Sequence, residues 1–550
     1  MSVKPDSITI EMAFEKDAYD ENIWEDVTDD VVTTPVIRGS YGMRDNSALS
    51  RVAGTGTFTF AFDNSKANSA GLAGYYSPGH TNCRDGFQAG IGVRLSITYD
   101  GMTVPRWEGR ISKNGIQVDP GRYKQRRTTV TAVDWMNQAS TKKLPLPPYT
   151  TEKRIDEVVD LILNMMPVQP ENTSFDAGVD TFVSVFDTVR DKTTALSEFS
   201  KLALSEWGYI YYRHAAAQAN TLKVEGRESR PDAFFSRAKL PTPRVDANYI
   251  GDEDGGILGT EDGEALIVDD FFYADFFNNT FVDVQYSYGK NTANVITITS
   301  YPRKYDDSPV VLYALQSSIK LAAGETRKVS GTFRDPTGGA PRVAGKNMIA
   351  PESGTDYAMY QNSNGTGTYR TADLVVSATY GANGVEYELT NNNVNESYVT
   401  LLQARGYGIY LYDSIKYTTE NTSVQGDYGE LTLDINMPYQ NDPDTAEKIA
   451  TFELLNTQIS RPQIDSFSFW ANQDYRFMLA FMYLDIGSRV SIRETQTGYN
   501  RDVYIDGVDF EIHGGKLIKV TYKVRPVSSI TSWYIGIEGR SEIGINTYPG

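Results

Sequence analysis

Along the first 145 residues apolar and polar positions alternate with a period of two. Ser7-Ile8-Thr9-Ile10, Gly56-Thr57-Phe58-Thr59-Phe60-Ala61-Phe62 and Val93-Arg94-Leu95-Ser96-Ile97-Thr98-Tyr99 all show it. Alternation carried by β-branched and aromatic residues predicts half-buried strands. Asp100-Gly101 is a hairpin turn signal, with residues 102–111 as the returning strand and 128–133 completing the set. Many short strands separated by turns point to a barrel or a sandwich. Leu144-Pro145-Leu146-Pro147-Pro148 then breaks any regular element and predicts a boundary. Beyond it the period becomes helical: Ile155, Val158, Val159, Ile162 and Met165 share one face, and Leu196, Phe199, Leu202 and Ala203 another. Gly208 stands where a C-terminal cap belongs, and strands resume at 209–212 and 221–224.

From Phe281 to about Leu433 the pattern is again that of strands. Residues 295–299 and 373–379 alternate, and Asn383-Gly384 before 385–389 reads as a hairpin. A strand spacing of about 8 to 12 residues predicts a β-sandwich. A third helix is expected over 445–455, with Asp444 as N-cap, Glu447 completing a capping box, and Ile449, Phe452 and Leu455 as the apolar stripe. Residues 488–524 return to strands, with Gly514-Gly515 at a turn. No tandem repeat of fixed period is present.

At 550 residues the chain exceeds what one core organises, so three or four domains are expected. Its 40% hydrophobic and 22% charged content is that of a globular protein. No stretch of about 18 apolar residues predicts a membrane helix. The opening MSVKPDSITIEM has no apolar stretch behind a basic region, and one cysteine, Cys83, allows neither an intrachain disulfide nor a thiolate zinc cage. Folding in a reducing cytoplasm is the expectation. A formal net charge of −19 argues against a dedicated nucleic-acid binder, which needs a basic footprint. Between Val245 and Gly289 there are 11 acidic residues and no Lys or Arg, so more than half of the net charge lies in one segment. Arg122, Lys124, Arg126 and Arg127 form a smaller basic cluster.

Candidate chemistry is sparse. The three histidines, His80, His214 and His513, have no Gly-x-Ser-x-Gly elbow or His-Glu-x-x-His to work with, and read as surface or satisfied residues. Cys83 beside His80 reads as incidental. Residues 339–347 (GAPRVAGKN) only resemble a phosphate loop, since the glycine spacing is too long and Asn347 replaces the hydroxyl. Gly365-Thr366-Gly367 lacks a third glycine and a following helix. Asp269 and Asp270 are neighbours and would point to opposite faces of a strand, which is wrong for a glycosidase pair. Within the acidic segment Asp252, Asp254, Glu261, Asp262 and Glu264 are weak calcium candidates, hard oxygen ligands beside flexible turns without the EF-hand spacing. The plainer reading is a solvated or channel-facing acidic loop. Tyrosine is abundant, 36 residues, and suits protein interfaces as well as half-buried strands.

The order of short signatures resembles the tail-hub or tail-tip minor proteins of long-tailed, siphovirus-type bacteriophages. Trp24-Glu25-Asp26-Val27-Thr28, Arg38-Gly39, Phe60-Ala61-Phe62-Asp63-Asn64, Tyr75-Tyr76-Ser77-Pro78, Trp107-Glu108-Gly109-Arg110-Ile111 and Ala132-Val133-Asp134 carry it at the start. Leu484-Asp485-Ile486-Gly487 with Val490, residues 504–508, Trp533-Tyr534-Ile535-Gly536 and residues 539–544 carry it at the end. The chain departs from the family pattern after Asn64, where Ser65-Lys66-Ala67-Asn68 replaces a Gly-x-Phe turn.

The resemblance implies a mainly β, multidomain fold with a few helices, in which two β-barrel tube-type domains are separated by an α/β section and an inserted β-sandwich. Residues 1–145 would be the N-terminal barrel, 146–240 an α+β hub domain, and 241–310 the acidic segment with connecting strands. Residues 311–435 would be the inserted sandwich, 436–525 a helix with the second barrel, and 526–550 a tail. It further implies a homotrimer presenting six barrels to a sixfold tail tube, without catalytic activity or cofactor. Its partners would be the tail tube or distal tail protein, the tape-measure protein, other tail-tip proteins and the host cell surface. Its place would be the virion tail tip around the DNA-ejection channel, after assembly in the host cytoplasm. Two further readings are a carbohydrate-binding tail adhesin, with the tyrosine-rich sandwich as its binding face, and a tail-associated cell-wall hydrolase.

Overall fold

The computed structural model describes residues 3–15, 23–121, 126–148, 150–186, 193–215, 219–227, 229–232, 237–241, 271–338, 343–411, 413–527, 531–532 and 547–548. The chain is mainly β, with several sheets and a few helices in a multidomain arrangement. The alternation at the start forms the strands Ser7–Ala13, Gly54–Asp63, Gly92–Tyr99, Met102–Asp119 and Arg127–Val133. One face of each is buried: Ile10 and Met12, then Phe58, Phe60 and Phe62, then Val93, Leu95 and Ile97. Near the end, Pro462–Trp470, Arg489–Glu494, Tyr499–His513 and Leu517–Pro526 form a second set.

These two sets, hundreds of residues apart, belong to one sheet. Ile37–Gly42 pairs antiparallel with Gly54–Asp63 on one side and with residues 507–512 on the other. The result is a 14-stranded sheet among the described residues, over a single hydrophobic core.

The sets follow a similar plan, with five main strands in the first and four in the second, although Glu25–Asp26 pairs antiparallel and its counterpart Asp275–Phe277 parallel. In the first, Glu25–Asp26 pairs with Ser7–Ala13, the 3-10 turn Thr28–Asp30 follows, and Val31–Val32 pairs with Gly54–Asp63. In the second, Asp275–Phe277 pairs with Arg489–Glu494, the 3-10 turn Asn278–Thr280 follows, and Asp283–Tyr288 pairs with Pro462–Trp470. One broken strand thus bridges the two ends of each set, and no continuous ladder closes either into a barrel among the described residues.

Between the sets lie three further cores. Helices Ile155–Asn164 and Ala195–Glu206 pack on the small sheet of Tyr209–Arg213, Thr221–Glu225 and Asn172–Phe175. Val295–Ser300 runs between Ile415–Glu420 and Thr432–Asn436, and helix Pro443–Thr457 covers that layer. A two-sheet unit sets Thr326–Thr332, Gly384–Asn391 and Leu374–Tyr380 against strands paired to the long Ser397–Leu411.

Local details differ from the sequence expectations for physical reasons. Asp442, not Asp444, caps helix Pro443–Thr457, because the proline at the first helical position moves the start back and the Asp442 carboxylate accepts from the Asp444 amide. Glu447 instead accepts from the Tyr417 hydroxyl (2.9 Å). The buried stripe is Ile449 with Ala450 and Leu454, while Phe452 and Leu455 are only half-buried. Trp207, not Gly208, takes the left-handed cap of helix Ala195–Glu206, at φ 63°. Gly208 is needed one step later, where a Cβ would stand 2.2 Å from the Glu225 carbonyl oxygen.

The two-sheet unit contains a pH-sensitive staple. Asp356 is buried and receives Arg405 Nε (2.6 Å) and Nη2 (2.8 Å) together with the Glu352 amide (2.9 Å). Burial works against its ionisation, but these bonds outweigh it and hold the carboxyl below the usual carboxylate range. A depressed acid stabilises fully above its unfolded pKa, about 3.9, and that stabilisation fades as the pH falls through the folded value. The expected result is an acid-induced loss of this unit below about pH 4 that Asp356→Asn flattens, read by near-UV circular dichroism across a pH series.

Candidate functional site

The signature residues gather around the place where the two strand sets meet. A β-bulge starts it: Leu95 pairs with Trp107 and Ser96 with Pro105, leaving Arg106 unpaired and turned into the core beside Trp107. The Arg106 guanidinium donates to the Tyr41 hydroxyl (2.5 Å) and lies over the Phe481 ring (4.9 Å). Burial opposes its charge, and the Tyr41 and Asp485 oxygens outweigh that penalty and favour the charged form. Burial also pushes the Tyr41 hydroxyl well above its ordinary range, so it stays protonated.

His214 is fully buried against this group. Trp107 stacks on its ring (5.7 Å), Tyr41 meets it edge-on (4.4 Å), and its Nε2 faces Asp134 Oδ2 at 3.3 Å. Asp134 also accepts from the Met136 amide, and a Cβ on Gly56 would stand 2.4 Å from Asp134 Oδ2. Asp485 closes the group from the second set, with Oδ2 accepting the amides of His214 (2.6 Å) and Ala215 (2.7 Å). Gly487 has φ +83°, and a Cβ there would stand 2.2 Å from the Tyr211 hydroxyl. The Leu484-Asp485-Ile486-Gly487 signature is therefore a docking turn for residues 211–215.

A second buried group lies alongside. Asp506 accepts Arg230 Nη1 (3.0 Å) on one oxygen and Arg525 Nε (2.7 Å) on the other. Arg230 also donates to Glu225 (2.8 Å), and Arg51 reaches Glu453 at 3.7 Å. The Tyr209 ring is flanked by three guanidinium groups, Arg230 at 3.7 Å, Arg51 at 4.8 Å and Arg525 at 5.2 Å. Burial opposes the charge on Arg230 and Arg525, and the carboxylates outweigh it and hold both above their ordinary range. Arg51 differs: burial dominates and holds it below. Its cation stacks on Trp207 (3.4 Å), whose indole N–H donates to Glu453 (2.6 Å). The first set, the helical section, helix Pro443–Thr457 and the second set all contribute a charge here.

The remaining signatures build the far end of the first set. Tyr76 stacks on Phe62 (3.9 Å), its hydroxyl donates to buried Asp30 (2.5 Å), and its amide donates to Asn64 Oδ1 (2.8 Å). Arg94 lies over Trp24 (4.5 Å), and Arg84 pairs with Glu25 (2.6 Å). Arg38 pairs with Glu511 (3.0 Å) across the strand junction, and the Phe510 ring occupies the space above Gly39, where a Cβ would stand 2.1 Å away.

The groups considered for chemistry fall elsewhere. His80 sits in an exposed turn and His513 beside Trp470 and Glu511. Burial pushes the Cys83 thiol up, the direction opposite to activation. Residues 343–346 of the loop at 339–347 form the strand Val343–Lys346, and 365–367 lie in an exposed turn. The calcium candidates Asp252, Asp254, Glu261, Asp262 and Glu264 lie outside the described residues, as do Asp269, Asp270, Arg122, Lys124 and the signatures at 533–544. Among the described residues no group of three or more His, Cys, Asp or Glu could hold a metal ion, and no helix is long and apolar enough to cross a membrane.

No family model and no curated protein sequence matches the chain. Solved structures with a similar course are the prophage MuSo2 43 kDa tail protein of Shewanella oneidensis, at 9% identity and TM-score 0.45 over 94% of this chain and 98% of that one. A tail protein from Neisseria meningitidis MC58 follows at 8% identity and TM-score 0.42, covering 94% and 95%. The prophage tail protein gp18 from Listeria monocytogenes EGD-e gives 8% identity and TM-score 0.38, covering 94% of each chain.

Proposed function

We propose that this chain is a structural component of a siphovirus-type phage tail, a homotrimeric hub that joins the tail tube to the tip and surrounds the DNA-ejection channel. The observation that carries the reading is the fusion of two strand sets of similar plan into one sheet through Ile37–Gly42 and residues 507–512. Two tube-type units held rigidly side by side in one chain are what a trimer needs to meet a sixfold tube. The sequence signatures support it from a second direction, because they supply the residues that weld the junction: Tyr41 apart, its clamps are Trp107, Asp134, Asp485 and Gly487. In this reading the sets act as barrels, the two-sheet unit faces neighbours or the cell surface, and the chain carries no catalytic step. Tail-tube, tape-measure and tail-tip proteins are its partners in the virion.

Native mass spectrometry over a concentration series, with negative-stain images, tests the reading. The expected species has three times the 61.2 kDa chain mass and images as a ring with a central hole. A monomer at every concentration overturns the trimeric hub.

A further inference from the structure

The junction inside each copy has a counterpart that lacks its second strand. In the second set, Tyr499–His513 pairs with Arg489–Glu494 along its first half and with Leu517–Pro526 along its later half, with a register shift at 505–507. That later half gives its other edge to Ile37–Gly42. Met102–Asp119 is built the same way in the first set. It pairs with Gly92–Tyr99, then with Arg127–Val133, with a register shift between Ile111 and Ile116. Residues 112–119 have the corresponding edge, and no strand lies on it among the described residues.

The missing strand has a counterpart too. Ile37–Gly42 lies beside Gly54–Asp63, the neighbour of the last strand in its set. Asp283–Tyr288 lies beside Pro462–Trp470, which neighbours the last strand of the second set, and its far edge is also unpaired among the described residues. We propose that Asp283–Tyr288 of one copy pairs antiparallel with residues 112–119 of the next copy, repeating between copies the junction formed within each. The proposal rests on the hub reading and names the interface by which its copies join.

Three observations favour a second copy as the occupant. The contact continues an interface that the chain already makes with itself. Apolar side chains are exposed on both edges, Tyr286 (41%), Tyr288 (64%) and Val118 (43%). The edge strand, Asp-Val-Gln-Tyr-Ser-Tyr, also carries none of the Lys or Pro residues that blunt natural edges. The opposite end of the same sheet is blunted: Glu25–Asp26 covers part of Ser7–Ala13, and the Ile10 amide is taken by Thr28 Oγ1 (2.9 Å). Two unlike edges make a head-to-tail contact, which closes a ring when the rotation allows.

The internal register, Ser40 opposite Asp509, carries over to Tyr286 opposite Gln117. Antiparallel neighbours stand within disulfide reach. In a Cys83→Ser background, Gln117→Cys and Tyr286→Cys chains are mixed and oxidised, with native mass spectrometry on the same samples. The expected product is a covalent dimer from the mixture that neither variant gives alone, and a covalently closed oligomer from the double variant. Tyr288→Asp is expected to weaken assembly at least tenfold while leaving the melting of the chain unchanged. An oligomer without this cross-link overturns the interface and leaves the hub reading standing. Absence of any oligomer in the parent chain overturns both.

Discussion

Replacing Asp506 by Asn is expected to destabilise the joined strand sets by about 3–5 kcal/mol. Asp506 is buried and is shared by buried Arg230 and half-buried Arg525. Taking the negative charge away leaves two guanidinium groups in a site that holds them charged. Arg230 keeps Glu225 (2.8 Å) and Arg525 keeps the carbonyls of Ser47 (3.1 Å) and Ser50 (2.9 Å), but neither replaces a full charge. The cost arises from the unpaired partners, not from the intrinsic strength of the pair, so removing the charges together should be milder. Asp506→Leu combined with Arg230→Met, Arg525→Met and Glu225→Gln, which leaves none of these charges behind, is expected to cost less than Asp506→Asn alone. Calorimetry separates the cases, since the transition containing the strand sets should fall by roughly 2–4 °C per kcal/mol for a unit of this size. A shift of under about one degree for Asp506→Asn would mean that the network contributes little.

Local patterning was legible where it is strongest. Alternation found Gly54–Asp63 and Gly92–Tyr99, and the helical stripe found Ile155–Asn164, because in both the period itself states which face is buried. Helix Tyr475–Tyr483 shows the limit. Residues 477–482 are buried all round, so its sequence Tyr-Arg-Phe-Met-Leu-Ala-Phe-Met-Tyr has no polar face to set a period. The junction was hidden for a different reason. Residues 37–42 include two glycines and no alternation, and their partners lie some 470 positions away, a separation that no local signal reports. Arg106 was hidden by its bulge, which breaks the alternation at the point where an arginine enters the core. The motifs quoted as family signatures were in this sense structural information. Asp485, Asp134 and Gly487 enter the sequence reading only as members of those signatures, with no role of their own, and they are the contacts that fix the middle section to both strand sets.

The clearest test of that role is Asp485→Ala, expected to destabilise by about 3 kcal/mol or more, since each buried amide left without a partner costs about 1–3 kcal/mol. The carboxylate takes the amides of His214 and Ala215 on one oxygen and that of Ile486 on the other (2.8 Å). Alanine offers none of these acceptors, and the enclosed position leaves water little access to the stranded groups. Asn keeps one carbonyl oxygen that can serve His214 and Ala215 but sets its NH2 against the Ile486 amide, so Asp485→Asn should lose about 1–3 kcal/mol, less than Asp485→Ala. The consequence reaches beyond stability, because residues 211–215 hold the helical section against the second set through Asp485 and through the Ile486 carbonyl that accepts Arg213 Nε (2.9 Å). In Asp485→Ala, amide exchange at 209–215 should speed up well before global unfolding, while exchange in the Ser397–Leu411 strand of the two-sheet unit should stay at the parent rate. Equal acceleration at both places would mean that Asp485 supports the fold generally, and that residues 484–487 are not the clamp joining the middle of the chain to its end.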